Sequence, residues 1–264
     1  MRYTGLKFML SQIKISPIAV LVSAALLSGC NESSDSSYGE GYDANKEVET
    51  DFNEKTLVIN ITDNIISPVF TAFKDVTNTQ HQQVVTYCDA VKSKELSSTL
   101  TDAQNSWEDT MLVWQQAEMM QVKPLLDSDS KLRNDIYSWP NVFTCGVDQD
   151  TIFYMNGEFN GQTYAIEERR ANRKGLYALE YLLFNQSSEH SCQVSAPEGW
   201  DELTLQQLEV ARCEYASEVA RDLTDNANKL EADWLAFSNE LTSAGESGSE
   251  FDTVHDAVNH LCDA

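Results

Sequence analysis

A long run of apolar residues at helical spacing near the end of the chain most constrains its fold. From Thr204 onward these positions advance by three or four residues, apart from one seven-residue step; they are Leu205, Leu208, Tyr215, Val219, Leu223, Ala227, Leu230, Trp234, Phe237 and Leu241. Such spacing marks one face of an α-helix, and Thr204 with Gln207 resembles a capping box at its start. A helix of about 50 Å predicts a helical bundle.

The rest of the chain also favours helices. Apolar periodicity predicts them at Leu57 to Tyr87 with a bend at Pro68, and at residues 96–121, 131–139, 164–184 and 251–262. Loop with a small hairpin is predicted for 141–162, and loop for 185–203. Because strand-like alternation is nearly absent, the sequence predicts an all-α, bundle-like domain over residues 55–264.

The N-terminus has the pattern of a bacterial lipoprotein signal peptide. A basic start precedes an apolar run from Ile15 to Leu27, which is short for a membrane span, and Leu27-Ser28-Gly29-Cys30 resembles a lipobox. Residues 1–29 are therefore predicted to be removed, and Cys30 to carry a lipid that anchors the protein in a membrane. Asn31 favours the outer membrane, facing the periplasm. An ordinary signal peptide or a membrane anchor is the alternative.

Composition limits the partners. Residues 30–54 are rich in Ser, Gly, Asp and Glu, which predicts a disordered tether. The whole chain has 42 acidic and 18 basic residues, a formal charge of −24, so nucleic acid is not an expected partner. A solvated acidic surface is the simpler explanation of this charge, and attraction of cations is the alternative.

Cysteine usage fits an oxidising compartment. Six cysteines occur, and a lipidated Cys30 would leave five, enough for two disulfides and one further thiol. The expected pairs are Cys88–Cys145 and Cys192–Cys213, with Cys262 left over, although the sequence allows other pairings. No C-x-x-C motif is present, so a zinc ribbon or a thioredoxin-like centre is not indicated.

Two glutamates occupy apolar helix faces. Residues 175–184 contain a single charge, Glu180, and Glu118 continues the stripe formed by Trp107, Met111 and Trp114. Buried carboxylates persist when they are hydrogen-bonded, protonated, paired or metal-bound. Either these two share a ligand site, or each is satisfied inside the bundle by a partner such as one of four arginines, Arg133, Arg169, Arg170 and Arg173.

Three segments resemble the imelysin family (peptidase family M75). Gly175-Leu176-Tyr177-Ala178-Leu179-Glu180 is similar to its G-x-H-x-x-E signature; the stretch from Trp107 through Trp114 and Glu118 to Pro124, and Asp135-Ile136-Tyr137-Ser138-Trp139-Pro140, are similar to its other motifs. The resemblance covers about residues 55–262. It implies two bundle-like helical halves, related to the helical domain of periplasmic iron-uptake proteins. Gly175, Trp114, Trp139 and Pro140 are motif positions.

One departure from the family motif affects the expected chemistry. The motif histidine is Tyr177 here, and a phenol with an ordinary pKa near 10 is a poor ligand for zinc, although phenolate binds ferric iron. The H-E-x-x-H motif of zinc peptidases is absent. The resemblance therefore implies a ligand or metal site at Glu118, Asp135, Tyr177 and Glu180, with no catalytic residue.

These features predict a non-catalytic, periplasm-facing lipoprotein that serves metal or iron acquisition. Its expected ligand is a metal ion, with iron the leading candidate, or a small molecule. A structural or protein-interaction lipoprotein without a ligand is the alternative, and a metallopeptidase is less favoured. Family members continue through more helices, so we expect an incomplete second bundle. Apolar helix faces exposed in that way would give the C-terminal half a protein partner.

Overall fold

The computed structural model describes residues 52–95 and 98–263. The predicted signal peptide, the predicted lipidation site Cys30 and the predicted tether up to residue 51 lie outside these residues. Helices account for nearly all regular structure there: α1 Glu54–Ile61, a π-turn Thr62–Ile66, α2 Ser67–Ser93, α3 Thr99–Glu118, α4 Lys123–Ile136, α5 Thr144–Asn156, α6 Gly175–Phe184, α7 Leu205–Thr242 and α8 Val254–Asp263. The all-α prediction is confirmed.

Helix α7 organises the bundle. Its 38 residues begin at the predicted capping box, in which Thr204 and Gln207 cap each other's backbone N–H groups. One side of α7 packs along α2, which in turn packs on α3, and α4, α5 and α6 also pack on α7. The apolar periodicity therefore predicted the central helix, because its repeating face is the one that the other helices cover.

The first helical stretch is continuous from α1 to α2. Pro68 lies in the first turn of α2, directly after the π-turn, where a missing backbone N–H is tolerated. Among the described residues, this stretch is the one helix long and apolar enough to cross a membrane. One face of this stretch packs against the other helices, with Phe70, Phe73 and Val84 fully buried.

Two predictions for the middle of the chain are wrong. Residues 144–156, expected to be loop, form α5, and only the predicted hairpin follows, with Glu158–Phe159 paired to Gln162–Thr163. Residues 164–174, expected to be helix, form two 3₁₀ turns instead. Helix α5 has no apolar stripe because its buried face includes Asp150, which pairs with Arg169 and Arg173 at 2.7 and 3.1 Å.

The disulfide pairing was also predicted wrongly. The four expected cysteines do form two bridges, but Cys88 pairs with Cys213 and Cys145 with Cys192. The first bridge joins α2 to α7, which lie side by side. The second joins the start of α5 to the 185–203 loop. Connectivity follows helix neighbours, which the order of cysteines along the chain does not reveal.

Candidate functional site

Gly175 sets the position of the central motif. Its φ of +72° is in the left-handed region, and an added Cβ would lie 2.5 Å from the carbonyl oxygen of Ile136 and 2.6 Å from that of Asp135. Only glycine combines this conformation with such a close approach. Helix α6 therefore starts directly against the end of α4, which brings Tyr177 and Glu180 beside the residues that follow α4.

A cleft of about 470 Å³ lies at this junction. We call it the aromatic pocket; its lining residues are Tyr137, Trp139, Tyr177, Glu180, Tyr181, Phe184 and Asn185. Five of the seven are aromatic, one is a carboxylate, and none is a lysine, arginine or histidine. The α6 residues share one helix face, because they are spaced by three or four positions.

Glu180 is the unpaired charge of this pocket. Its side chain is partly buried, and among the described residues no hydrogen bond or ion pair involves its carboxylate. Burial alone raises the pKa of Glu180 above its ordinary value, since no cation lies close enough to oppose it. The carboxylate therefore carries a desolvation cost that no protein group offsets.

The neighbouring phenols respond to this charge. Burial raises the pKa of Tyr177, and the negative charge of Glu180 raises it further. Burial raises the pKa of Tyr137 as well, with added contributions from Glu180 and Glu118. Both phenols are thus held in the protonated form with neutral rings, and the Tyr177 hydroxyl already has Thr144, outside the pocket, as a hydrogen-bond partner.

Contacts outside the pocket fix two of its rings. The hydroxyl of Tyr181 donates to Asp148 at 3.1–3.2 Å. Tyr181 therefore lines the pocket with its ring, while its oxygen is engaged outside. The ring of Phe184 packs edge-on against Trp107, with centroids 5.4 Å apart, and the Trp107 indole N–H donates to the carbonyl of Leu176 at 2.9 Å. The aromatic wall on α6 is therefore preorganised.

Glu118 lies near the pocket but is already paired. Its carboxylate accepts a 2.6 Å hydrogen bond from Arg133 in a partly exposed ion pair. Its charge still raises the pKa of Tyr137, so Glu118 adds to the negative potential without lining the pocket. Glu118 therefore follows the second possibility raised by the sequence, in which an arginine partner satisfies the carboxylate. Arg169 and Arg173 instead pair with Asp150, so neither of them pairs with Glu180.

Asp135 lies in the last turn of α4 and does not line the aromatic pocket. It pairs with Lys131 and lies 3.7 Å from the ammonium of Lys174, which is 3.3 Å from Asp222. Lys174 is almost fully buried at 2% exposure, so it joins α4, α6 and α7 through two carboxylates. Asp135 lines a different cleft from Glu180.

The motif positions divide between core and pocket. Trp114 is fully buried and packs against Phe73, with ring centroids 5.1 Å apart. Trp139 is 56% exposed at the pocket mouth, and the Trp139–Pro140 peptide bond is cis. The four predicted ligand residues therefore do not converge: Tyr177 and Glu180 share the pocket, while Glu118 and Asp135 are in ion pairs outside it.

Sequence reasoning did not single out Tyr137, Tyr181 and Phe184 as site residues. Tyr181 and Phe184 lie four and seven positions after Tyr177, so helical spacing alone could have placed them on its face. Tyr137 stands in the Asp135–Pro140 stretch that resembles a family motif. Its place beside Glu180 depends on packing that no local pattern encodes.

The donor set does not fit an ordinary divalent-metal centre. No group of three or more His, Cys, Asp or Glu side chains within the described ranges could hold a metal ion. The pocket offers one carboxylate, Glu180, and phenols whose raised pKa opposes the deprotonation that metal binding needs. Ferric iron, which binds phenolate, is the one metal for which Tyr137 and Tyr177 would be suitable donors.

The chain is similar to known proteins in its sequence family and in its fold. The family model described as Imelysin (Peptidase M75) matches residues 66–262. No curated protein matches the chain. An imelysin-like protein from Psychrobacter arcticum 273-4 is 17% identical, with a TM-score of 0.54 over 81% of this chain and 61% of its own.

A second solved structure is similar to the same extent. It is named as an iron-regulated protein A precursor from Parabacteroides distasonis ATCC 8503 and is 15% identical, with a TM-score of 0.56 over 78% of this chain and 54% of its own. The chain thus spans less than two thirds of the length of either structure. Likeness at this identity shows a common fold.

Proposed function

The chain belongs to the imelysin family, and from this premise we propose that it is a non-catalytic ligand-binding lipoprotein of the bacterial cell envelope. Its lipid would be carried by Cys30, with the helical domain facing the periplasm from the outer membrane, and its ligand would bind in the aromatic pocket. The iron-regulated name of one structural relative supports a role in metal or iron acquisition.

The unpaired carboxylate of Glu180 is the observation that carries the proposal. A partly buried charge without a partner lowers stability, and such groups are typical of binding sites, where the ligand supplies the missing partner. Elsewhere the same fold gives its buried carboxylates partners, as in the Asp150–Arg169 pair, whose members are 0% and 9% exposed. Glu180 differs because its partner is expected to come from outside the chain.

The absence of histidine from the pocket lining supports a non-catalytic role. A zinc peptidase needs neutral nitrogen ligands and a general base close to the metal-bound water. With Tyr177 in the motif position, the residues that line the pocket supply a carboxylate, Glu180, but no nitrogen ligand for zinc.

Ferric iron is the metal to test first. Calorimetric titration of the purified protein with ferric, ferrous, cupric and zinc ions would be compared with Glu180→Gln. Ferric binding through the Tyr177 phenolate would give a ligand-to-metal charge-transfer absorption band, and this band should disappear in Tyr177→Phe. Exposed Glu108 on α3 provides a matched control, because Glu108→Gln removes the same charge outside the pocket.

Ligand binding of any kind would show as a rise in unfolding temperature. If neither metal ions nor the organic cations discussed below change the unfolding temperature of the wild-type protein, the proposed function is wrong. A purely structural role of the motif would then be the better explanation, with Glu180→Gln altering stability and no ligand response.

Anchoring is tested separately. Metabolic labelling with a palmitate analogue should mark the wild-type chain and leave Cys30→Ser unlabelled, because the proposed lipid attachment and lipobox cleavage both require Cys30. Membrane fractionation would then locate the labelled protein. Labelling that persists in Cys30→Ser would contradict the lipoprotein assignment without affecting the ligand site.

A further inference from the structure

We propose that the aromatic pocket binds the ammonium group of a small organic cation, with Glu180 as its counter-ion and the rings of Tyr137, Trp139 and Tyr177 around it. This inference rests on the proposed function and narrows the ligand class. A substituted ammonium group combines a positive charge with an apolar surface, and the pocket offers a complement to both.

The size of the pocket favours an organic ligand. Its volume of about 470 Å³ lies within the range of roughly 300–1,000 Å³ found for small-molecule sites. A bare metal ion needs several ligands at about 2–2.5 Å, and Glu180 is the only carboxylate among the lining residues. A bare ion would therefore leave most of the cleft unfilled and meet a single carboxylate, whereas an organic ligand can occupy the volume.

The charge of the pocket selects a cation. No lysine or arginine is among the lining residues, and Arg133, the cation nearest in sequence to Tyr137, is held by Glu118 at 2.6 Å. An anionic ligand would therefore face the Glu180 carboxylate without compensation. A neutral apolar ligand would desolvate that carboxylate further, which costs free energy.

The rings provide the second half of the recognition. Within the described residues, no ring–ring contact joins any two of Tyr137, Trp139, Tyr177 and Tyr181. Their faces are thus not occupied by one another. Cations bind to the faces of Trp and Tyr rings, and several such rings around an ammonium group form an aromatic cage. The formal charge of −24 on the chain would further raise the local concentration of cations.

A matched pair of probes tests the proposal. Choline and its uncharged carbon isostere, 3,3-dimethylbutan-1-ol, have nearly the same shape and differ in the charge on the head group. We expect calorimetry at constant ionic strength to show choline binding at least about tenfold more tightly than the isostere. Equal binding of the two would overturn the proposal, because the pocket would then recognise only apolar shape.

Variants separate the counter-ion from the cage. Glu180→Gln should weaken choline binding about tenfold, and Tyr177→Leu should weaken it by about the same factor. Tyr177→Phe keeps the ring and should stay within about twofold of the wild type. The control Glu108→Gln removes one exposed charge and should leave the affinity unchanged. Insensitivity to both Glu180→Gln and Tyr177→Leu would overturn the proposal.

Ferric iron and choline should respond differently to Tyr177→Phe, which keeps the ring but removes the phenol oxygen. A phenolate ligand would be lost in Tyr177→Phe, whereas a cation cage would not. If ferric iron binds in a manner that depends on Glu180 and choline does not bind, the organic-cation proposal is overturned while ligand binding by the pocket stands. If neither probe binds, the proposed function fails as well. The unfolding temperature of each variant, measured without ligand, shows that the comparison is made on folded protein.

Discussion

The two clefts beside the α4–α6 junction differ in how their charges are paired. The larger, of about 580 Å³, lies between α4 and α7, and we call it the charged cleft. Each of its lysines has a carboxylate partner: Lys123 with Glu250 at 2.9 Å, Lys229 with Asp233 at 2.6 Å, and Lys131 with Asp135. The smaller aromatic pocket leaves Glu180 without one. Among the described residues, Asp127 of the charged cleft also lacks an ion-pair partner, but it is exposed, whereas Glu180 is partly buried. A partly buried carboxylate without a partner, more than volume, therefore distinguishes the candidate site.

The same contrast separates groups that stabilise the fold from groups held ready for a ligand. Around Asp135, ion pairs join three helices and keep buried carboxylates compensated. Around Glu180, burial raises the pKa of the carboxyl with no opposing cation. The predictions below test this difference, beginning with the substitution expected to cost the most stability.

Lys174→Met should destabilise the protein by about 3–5 kcal/mol, because it leaves Asp135 and Asp222 as buried carboxylates without their shared cation. Burial already raises the pKa of Asp222, and Lys174 opposes that rise. Without Lys174 the pKa of Asp222 in the folded state would be higher still. The Lys174→Met variant should therefore lose stability as the pH rises through that pKa. Urea unfolding at several pH values measures the effect.

Removal of the two charges provides the control. Adding Asp135→Asn and Asp222→Asn to Lys174→Met should restore part of the lost stability, because neutral amides tolerate burial better than unpaired carboxylates. A Lys174→Met variant as stable as the wild type at neutral pH would show that the charges near the charged cleft are not structural.

Gly175→Ala should destabilise by about 2–4 kcal/mol, since it adds left-handed strain and a clash with the α4 backbone. Gly157→Ala is the matched control: its φ is +69° and nothing lies within 4 Å of the added Cβ, so only the strain of about 1–2 kcal/mol applies. Chemical denaturation of both variants isolates the clash. Equal losses would contradict the close approach between α4 and α6.

Glu118→Gln should cost only about 0.5–1 kcal/mol, because the pair with Arg133 is partly exposed, at 24% and 28% for the two side chains. High salt should reduce this difference. A double-mutant cycle with Arg133→Met would measure the coupling. If Glu118→Gln also abolishes ligand binding, Glu118 belongs to the site and the distinction between the two glutamates is wrong.

Glu180→Gln should stabilise the ligand-free protein by about 0.5 kcal/mol or less at neutral pH. The pKa of Glu180 is raised on folding above its ordinary 4.5, so the folded state holds the proton more tightly than the unfolded chain does. The carboxylate therefore lowers stability above the folded pKa, and this penalty vanishes below the unfolded pKa.

Unfolding measured at about pH 4 and about pH 7 checks the sign of this effect. The gain from Glu180→Gln should appear only at the higher pH. A loss of stability at neutral pH would mean that the carboxylate has a stabilising partner in the folded protein, and the contrast with the charged cleft would disappear.

Much of the fold followed from local pattern. The apolar stripe from Leu205 to Leu241 and the capping box at Thr204 predicted α7, because amphipathic spacing and cap chemistry lie within a few residues of each other. Helix α5 was missed because its buried Asp150 depends on Arg169 and Arg173, which follow it by about twenty residues. The disulfide pairs were missed for the same reason, since they depend on which helices are neighbours.

The sequence by itself determined the helical class, the family resemblance and the presence of an isolated charge at Glu180, because each depends only on residue types and their spacing along the chain. Only the tertiary structure decided which carboxylate is left unpaired. Arg133 pairs with Glu118, Lys131 and Lys174 pair with Asp135, and the end of α4 brings Tyr137 and Trp139 beside Glu180. Apart from the local Lys131–Asp135 pair, these partners are distant in sequence and meet only through packing, which determines whether a charge supports the fold or remains available to a ligand.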